Sequence, residues 1–220
     1  KITTPHDSPL SHISVGRLSL GLLVLAFTVY MIPGLFGAPL KLISAFPPPQ
    51  TYSESPRGFF GNASTSKEAL PDGAKLGEHD IVTFTDYEKG LAYAKQVNKP
   101  VMIDFTGHAC VNCRKMEINV WSDEQVLNIL KNDVVLISLY VDENIDLPKN
   151  EQFISKSTGS EIVTVGDKWT DFMITKYKTN TQPLYVLINL EEQNLNNPIS
   201  YTPNISEYLA WLKDGVSRFK

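Results

Sequence analysis

The stretch from Pro100 to Glu117, PVMIDFTGHACVNCRKME, constrains the chain most, because it joins a strand pattern to a helix pattern through the only two cysteines. Pro100 to Thr106 is rich in β-branched and aromatic residues and reads as a strand, which Thr106-Gly107 interrupts just before Cys110. A helix starts at the C-x-x-C. Cys113, Met116 and Val120 fall at i, i+3 and i+7, an apolar stripe that turns Cys113 inward and leaves Cys110 at the N-terminal tip. The unpaired N–H groups and partial positive charge of a helix N-terminus favour a thiolate over a thiol, so Cys110 is the candidate nucleophile. Cysteines this close can form a disulfide, and a buried Cys113 would resolve a mixed disulfide formed at Cys110. The chemistry predicted is dithiol–disulfide exchange, with the cysteine pair as the redox group and no added cofactor or metal.

Other uses of the pair are a zinc site or an inert structural disulfide. Zinc takes four ligands and the chain holds no second cysteine pair, although His108 could supply a third ligand to a zinc- or copper-handling module. A c-type haem needs histidine where Arg114 stands. Asp104 interrupts an apolar strand of Val101, Met102, Ile103 and Phe105, where a sheet covered on both faces would bury it. Desolvation would raise its pKa and suit it to accept a proton from Cys113; the alternative is an Asp tolerated near a strand end. Glu117, four residues after Cys113, would lie either near the same thiol or on a solvated helix face.

The run D-F-x-x-x-x-C-x-x-C followed by Arg resembles the thioredoxin superfamily, and KPVMIDFTGHACVNCRKMEINVWSD resembles the C-terminal thioredoxin-like domain of the DsbD family of transmembrane thiol:disulfide interchange proteins. Where many relatives carry Trp before the first cysteine, this chain has Ala109 preceded by His108. The resemblance implies an α/β fold of a central mixed sheet flanked by helices, with Cys110 and Cys113 as redox pair and Asp104 and Glu117 as acidic residues beside them. It implies a cis-proline at Pro183, which with Gln182 would line the substrate groove; His108, next to the nucleophile, is a further candidate for that groove. The expected activity is protein-disulfide reduction. Electrons would come from a cysteine pair in a membrane domain and pass to oxidised periplasmic proteins. A single-span reductase for cytochrome c maturation is the neighbouring alternative.

The rest of the chain fits around this motif. Leu18 to Leu40 carries no charge between Arg17 and Lys41, and at about 1.5 Å per residue it spans roughly 35 Å, enough for a bilayer core. It reads as a transmembrane helix after a polar stretch over 1–17 that looks like the start of a fragment, with a signal peptide as the rival reading. By the resemblance it would be the last helix of an inner-membrane domain, leaving the C-terminal part of the chain in the periplasm. Residues 41–80, rich in Pro, Gly and Ser, read as a flexible linker, and 81–220 as the folded domain. A net charge of −4 over 220 residues offers no footprint for nucleic acid.

Within 81–220, Thr85 to Glu88 reads as a capping box for a helix carrying Tyr87, Leu91 and Ala94, and Ser122 to Gln125 starts a helix carrying Val126, Ile129 and Leu130. Val134 to Val141 is a buried strand, which makes a parallel β-α-β unit. Ile154 to Val165 around Thr158-Gly159 suggests a hairpin; Trp169, Phe172, Met173 and Tyr177 mark a helix face. Leu184 to Asn189 is predicted as a strand and Ile199 to Tyr201 as a short one. Ile205, Leu209, Leu212, Val216 and Phe219 form the stripe of a closing helix.

Overall fold

The computed structural model describes residues 12–35 and 70–219, which fall into two separate units. The first is α1, Val15–Leu35. It begins before Leu18 because Ser14 caps it: its carbonyl accepts from Leu18 N at 3.0 Å and its hydroxyl from Arg17 N at 3.4 Å. The helix is long and apolar enough to cross a membrane, a test that a signal sequence also passes. The proposed span's end at 36–40, most of the polar start and most of the linker lie outside the described residues.

The second unit is built on a five-stranded sheet. Its strands are β1 (Ala74–Leu76), β2 (Val82–Phe84), β3 (Val101–Thr106), β4 (Val135–Tyr140) and β7 (Leu184–Ile188), in the spatial order β1-β2-β4-β3-β7. A separate pair, β5 (Phe153–Ile154) and β6 (Glu161–Ile162), forms the expected hairpin. Strands β2, β4 and β3 are parallel, while β1 and β7 are antiparallel to their neighbours. This is the mixed sheet flanked by helices that the thioredoxin-like fold requires. Strand β1 corrects the expected start at Ile81, since Ala74–Leu76 pairs with β2 inside the stretch read as linker. Three residues are too few for a period-2 pattern to stand out among prolines and glycines.

Five helices complete this unit: α2 (Tyr87–Val97), α3 (Val111–Asn119), α4 (Glu124–Asn132), α5 (Val165–Tyr177) and α6 (Ile205–Ser217). Asp86, one residue beyond the expected Thr85, caps α2 by accepting from Lys89 N at 3.0 Å. Asp123 caps α4, and a true capping box, Thr164 with Asp167, opens α5. The short strand expected at Ile199 to Tyr201 is a single bridge between Ile199 and Tyr185. In α6 the buried residues are Tyr208, Leu212 and Gly215; of the expected stripe Leu212 is buried and Leu209 and Val216 pack against the core, Ile205 is exposed, and Tyr208 was not foreseen. Its hydroxyl accepts from Trp121 Nε1 at 3.1 Å, which satisfies both polar groups inside the core.

Because side chains alternate along a strand, the sheet divides the core in two. One face presents Val101, Ile103 and Phe105 of β3 with Val135, Ile137 and Leu139 of β4, covered by Leu91 and Ala94 of α2 and Met173 of α5. The other presents Met102, Leu136 and Leu187, covered by Met116 of α3, Leu130 of α4 and Leu212 of α6. Farther along this second face stand Asp104 and Thr106 of β3 and Ser138 and Tyr140 of β4, paired in register. Thus one face is apolar throughout, and the other turns polar toward the C-terminal ends of its parallel strands.

Candidate active site

The polar end of the sheet leads into the C-x-x-C, since β3 ends at Thr106 and Cys110 opens α3. Cys110 is the N-cap of α3, with its Sγ accepting from Cys113 N at 3.2 Å. It is bonded to Cys113 across a Cα separation of 5.3 Å. Cys113 is buried at 1% exposure and Cys110 is partly exposed, so an incoming nucleophile can reach only the first sulfur readily. A helix N-terminus that already donates an N–H to this sulfur would stabilise its thiolate once the disulfide opens.

Two neighbouring elements shape the loop before Cys110. Asp142, just past β4, accepts from His108 N at 2.8 Å and from Ala109 N at 2.9 Å. A Cβ at Gly107 would fall 2.9 Å from both Asp142 Oδ2 and Gln182 Oε1, so a larger residue would have to push these side-chain ends aside. The His108 ring stacks on Tyr140 at 4.2 Å between centroids, and its Nε2 lies 3.1 Å from Glu143 Oε2. Gln182 is exposed and Pro183 buried, joined by a cis peptide bond at the entry to β7.

Three buried charged side chains gather at this end of the sheet. Asp104 is 2% exposed, and its Oδ2 accepts from Ser138 Oγ at 3.2 Å. Burial pushes its pKa up to about 7 against the opposing pull of Arg114 and the Ser138 hydrogen bond. Arg114, 4% exposed, donates from Nη2 to Thr106 Oγ1 at 3.2 Å and pairs through Nη1 with Glu117. Glu117 is 6% exposed, not on a solvated helix face as one sequence reading allowed. Burial raises its pKa well above the ordinary range, Arg114 counteracts this, and Asp104 and Glu78 reinforce it. Two acids and one guanidinium in a buried site favour retention of one proton, because the second carboxylate would carry an uncompensated charge there.

The structure therefore brings Cys110, Cys113, Asp104 and Glu117 to one end of the sheet, with His108, Gln182 and Pro183 around the loop above. Sequence reasoning missed Arg114, Ser138, Asp142 and Glu143. Ser138 was legible in principle: once β3 and β4 are taken as parallel strands, the polar position inside each apolar run marks the same face. Among the described residues, no group of three or more His, Cys, Asp or Glu side chains is placed to hold a metal ion.

The family profile described as thioredoxin-like matches residues 81–161, in agreement with this architecture. A search of curated protein sequences returns no significant match. Among solved structures, the DsbH oxidoreductase aligns at 17% identity over 71% of this chain and 94% of its own, with a TM-score of 0.42. A thioredoxin from Thermus thermophilus aligns at 21% identity over 58% and 81%, with a TM-score of 0.41. A disulphide isomerase from Xylella fastidiosa Temecula1 aligns at 12% identity over 57% and 87%, with a TM-score of 0.39. The folded part of this chain has a thioredoxin-like fold and carries the Cys110–Cys113 pair.

Proposed function

We propose that the protein is a membrane-tethered thiol:disulfide reductase whose folded domain works on the periplasmic side of a bacterial inner membrane. The observation that carries the exchange chemistry is the asymmetry of the cysteine pair: a partly exposed Cys110 at the cap of α3, bonded to a buried Cys113. The tether rests on α1 and on the sequence resemblance to DsbD-like proteins.

In this reading a cysteine pair of the membrane domain attacks the disulfide and leaves Cys110 and Cys113 reduced. The Cys110 thiolate then attacks the disulfide of an oxidised periplasmic protein, forming a mixed disulfide and releasing the partner's first thiolate. Cys113 gives its proton to Asp104 and attacks Cys110 Sγ, restoring the intrachain bond and releasing the second partner thiolate, which takes a proton from solvent. Gln182 and Pro183 flank the groove that seats the partner, and His108 borders it. Arg114 balances Glu117, so that Asp104 remains the acid that exchanges the proton.

The test is the redox equilibrium of the full chain in dithiothreitol or glutathione buffers, read by thiol alkylation and mass. A midpoint at or below about −200 mV supports a reductase, and one near about −120 mV makes the protein an oxidant and overturns the assigned direction. Cys110→Ser should abolish partner reduction outright, while Cys113→Ser should accumulate the mixed disulfide.

A further inference from the structure

A small cavity of mixed polar and apolar lining lies on the Asp104 face of the sheet. It offers about 20 Å³ to the centre of a water molecule, room for one. Its walls include Lys75 of β1, Glu78 of the following 3-10 turn (Glu78–Asp80), Arg114 and Glu117 of α3, and Ser138 and Tyr140 of β4. Ser138 is the residue that holds Asp104, and Arg114 the one that holds Glu117. Among the described residues, Asp104 Oδ1 and Arg114 Nε are buried with no hydrogen-bond partner. Buried polar atoms are nearly always paired, so an orphan on Arg114, which lines this one-water space, and another on Asp104, whose partner Ser138 lines it, point to solvent reaching the acids.

The sheet order gives this space a direction. The strands that wall it, β1, β2 and β4, all lie on one side of β3, with α3 and Trp121 closing it, whereas Gln182 and Pro183 lead into β7 on the other. A partner seated at the Gln182–Pro183 bend therefore leaves the cavity's side uncovered. The segment over the cavity is held firmly: β1 pairs with β2, and His79 Nε2 donates to the Glu117 carbonyl oxygen at 2.7 Å. His79 and Asp80 both sit in the left-handed region, at φ 55° and 57°, a conformation that non-glycine residues keep only where their surroundings enforce it. At the rim, Lys75 Nζ stands 5.4 Å from the centre of the Tyr140 ring.

We propose that this cavity is the proton port of the exchange reaction, with Glu78 and Lys75 positioned to pass the proton between Asp104 and solvent. The proposal deepens the exchange reading above and rests on it. When Cys113 attacks the mixed disulfide, the Cys113 S–H bond and the S–S bond between Cys110 and the partner break, the Cys110–Cys113 bond forms, and the partner's sulfur leaves with the electron pair of that S–S bond. The Cys113 proton moves to the Asp104 carboxylate and leaves through the cavity past Glu78. When a dithiol reduces the intrachain disulfide, a proton returns by the same path.

Stopped-flow mixing of the reduced full chain, in detergent micelles, with excess dithiobis(nitrobenzoate) separates the steps. The first thionitrobenzoate released reports attack by Cys110 and the second reports attack by Cys113. Glu78→Gln and Lys75→Met should each slow the second release by roughly tenfold, less than the hundredfold or more that loss of a positioned proton acceptor costs, and leave the first unchanged. Glu78→Asp, which keeps an acid at the rim, should restore it. An unchanged second phase in both variants, or equal slowing of both phases, overturns the port. Absence of any second release from the unsubstituted chain would instead overturn the exchange reading itself.

Discussion

The two faces of the sheet are made by alternate residues of the same strands, yet they do different work. On one, Ile103 and Phe105 meet Ile137 and Leu139 without a polar atom, and Phe105 adds ring contacts to Phe172 and Tyr177 at 6.0 and 5.7 Å. On the other, Asp104 and Ser138 stand in register where a second apolar layer would pack as well. Burying that carboxylate costs stability, and the first face offsets it. Within a single strand, period-2 alternation separates the residues that hold the domain together from those that meet the buried charges of α3.

Three substitutions probe this separation, from the largest expected effect to the smallest. Phe105→Ala, on the apolar face, should destabilise the domain by about 3–5 kcal/mol, as loss of a buried aromatic does. Its redox midpoint, measured on folded protein by alkylation, should not move; a shift would show that the faces are not independent.

Asp104→Asn should do the reverse. Because Asp104 titrates at about 7 when folded, against 3.8 ordinarily, the folded state holds its proton more tightly than the unfolded chain does. The stability this adds is fully present below about pH 4 and is lost as pH rises through about 7. The Asn variant lacks this titration. Its advantage over the unsubstituted protein should grow across that window to about 4 kcal/mol, each pH unit between the two affinities being worth about 1.4 kcal/mol. Urea unfolding of the disulfide-bonded protein at pH 4, 6 and 8 measures it, and parallel stability curves would contradict the burial of an acid at this position.

The smallest effect belongs to Ser138→Ala, which removes the hydroxyl that donates to Asp104 Oδ2. It should cost about 1–2 kcal/mol at pH 8, where the carboxylate is ionised, and less at pH 5. Since that bond favours the charged form, the Asp104 titration followed by carboxyl NMR should move upward. A downward move would mean that the hydroxyl is not serving the carboxylate.

Much of this arrangement was legible in the residues. Cys113, Met116 and Val120 at helical spacing are all buried, and the turn before Cys110 makes that cysteine the cap of α3. The isolated Asp104 in an apolar run marked a buried acid, and the stripe of Trp169, Phe172, Met173 and Tyr177 marked α5. Glu117 was ambiguous because helical spacing gives a residue's angle around the axis but not what covers that angle. Here Arg114 and the segment from Lys75 to Asp80 cover it.

The sequence by itself determined the helices, the central strands β3, β4 and β7, their order and the candidate redox pair, because each is written in short-range periodicity, caps and turn residues that act within a few positions. Only the tertiary structure decided the partners. Ser138 lies opposite Asp104 because β4 packs in a register set by both apolar faces at once, and Asp142 reaches the amides before Cys110 because β4 ends beside β3. Strand β1 brings Lys75 to the same cluster from ahead of the expected domain boundary. Those contacts join residues far apart in the chain, and a local pattern records which side a residue faces without recording what it will meet there.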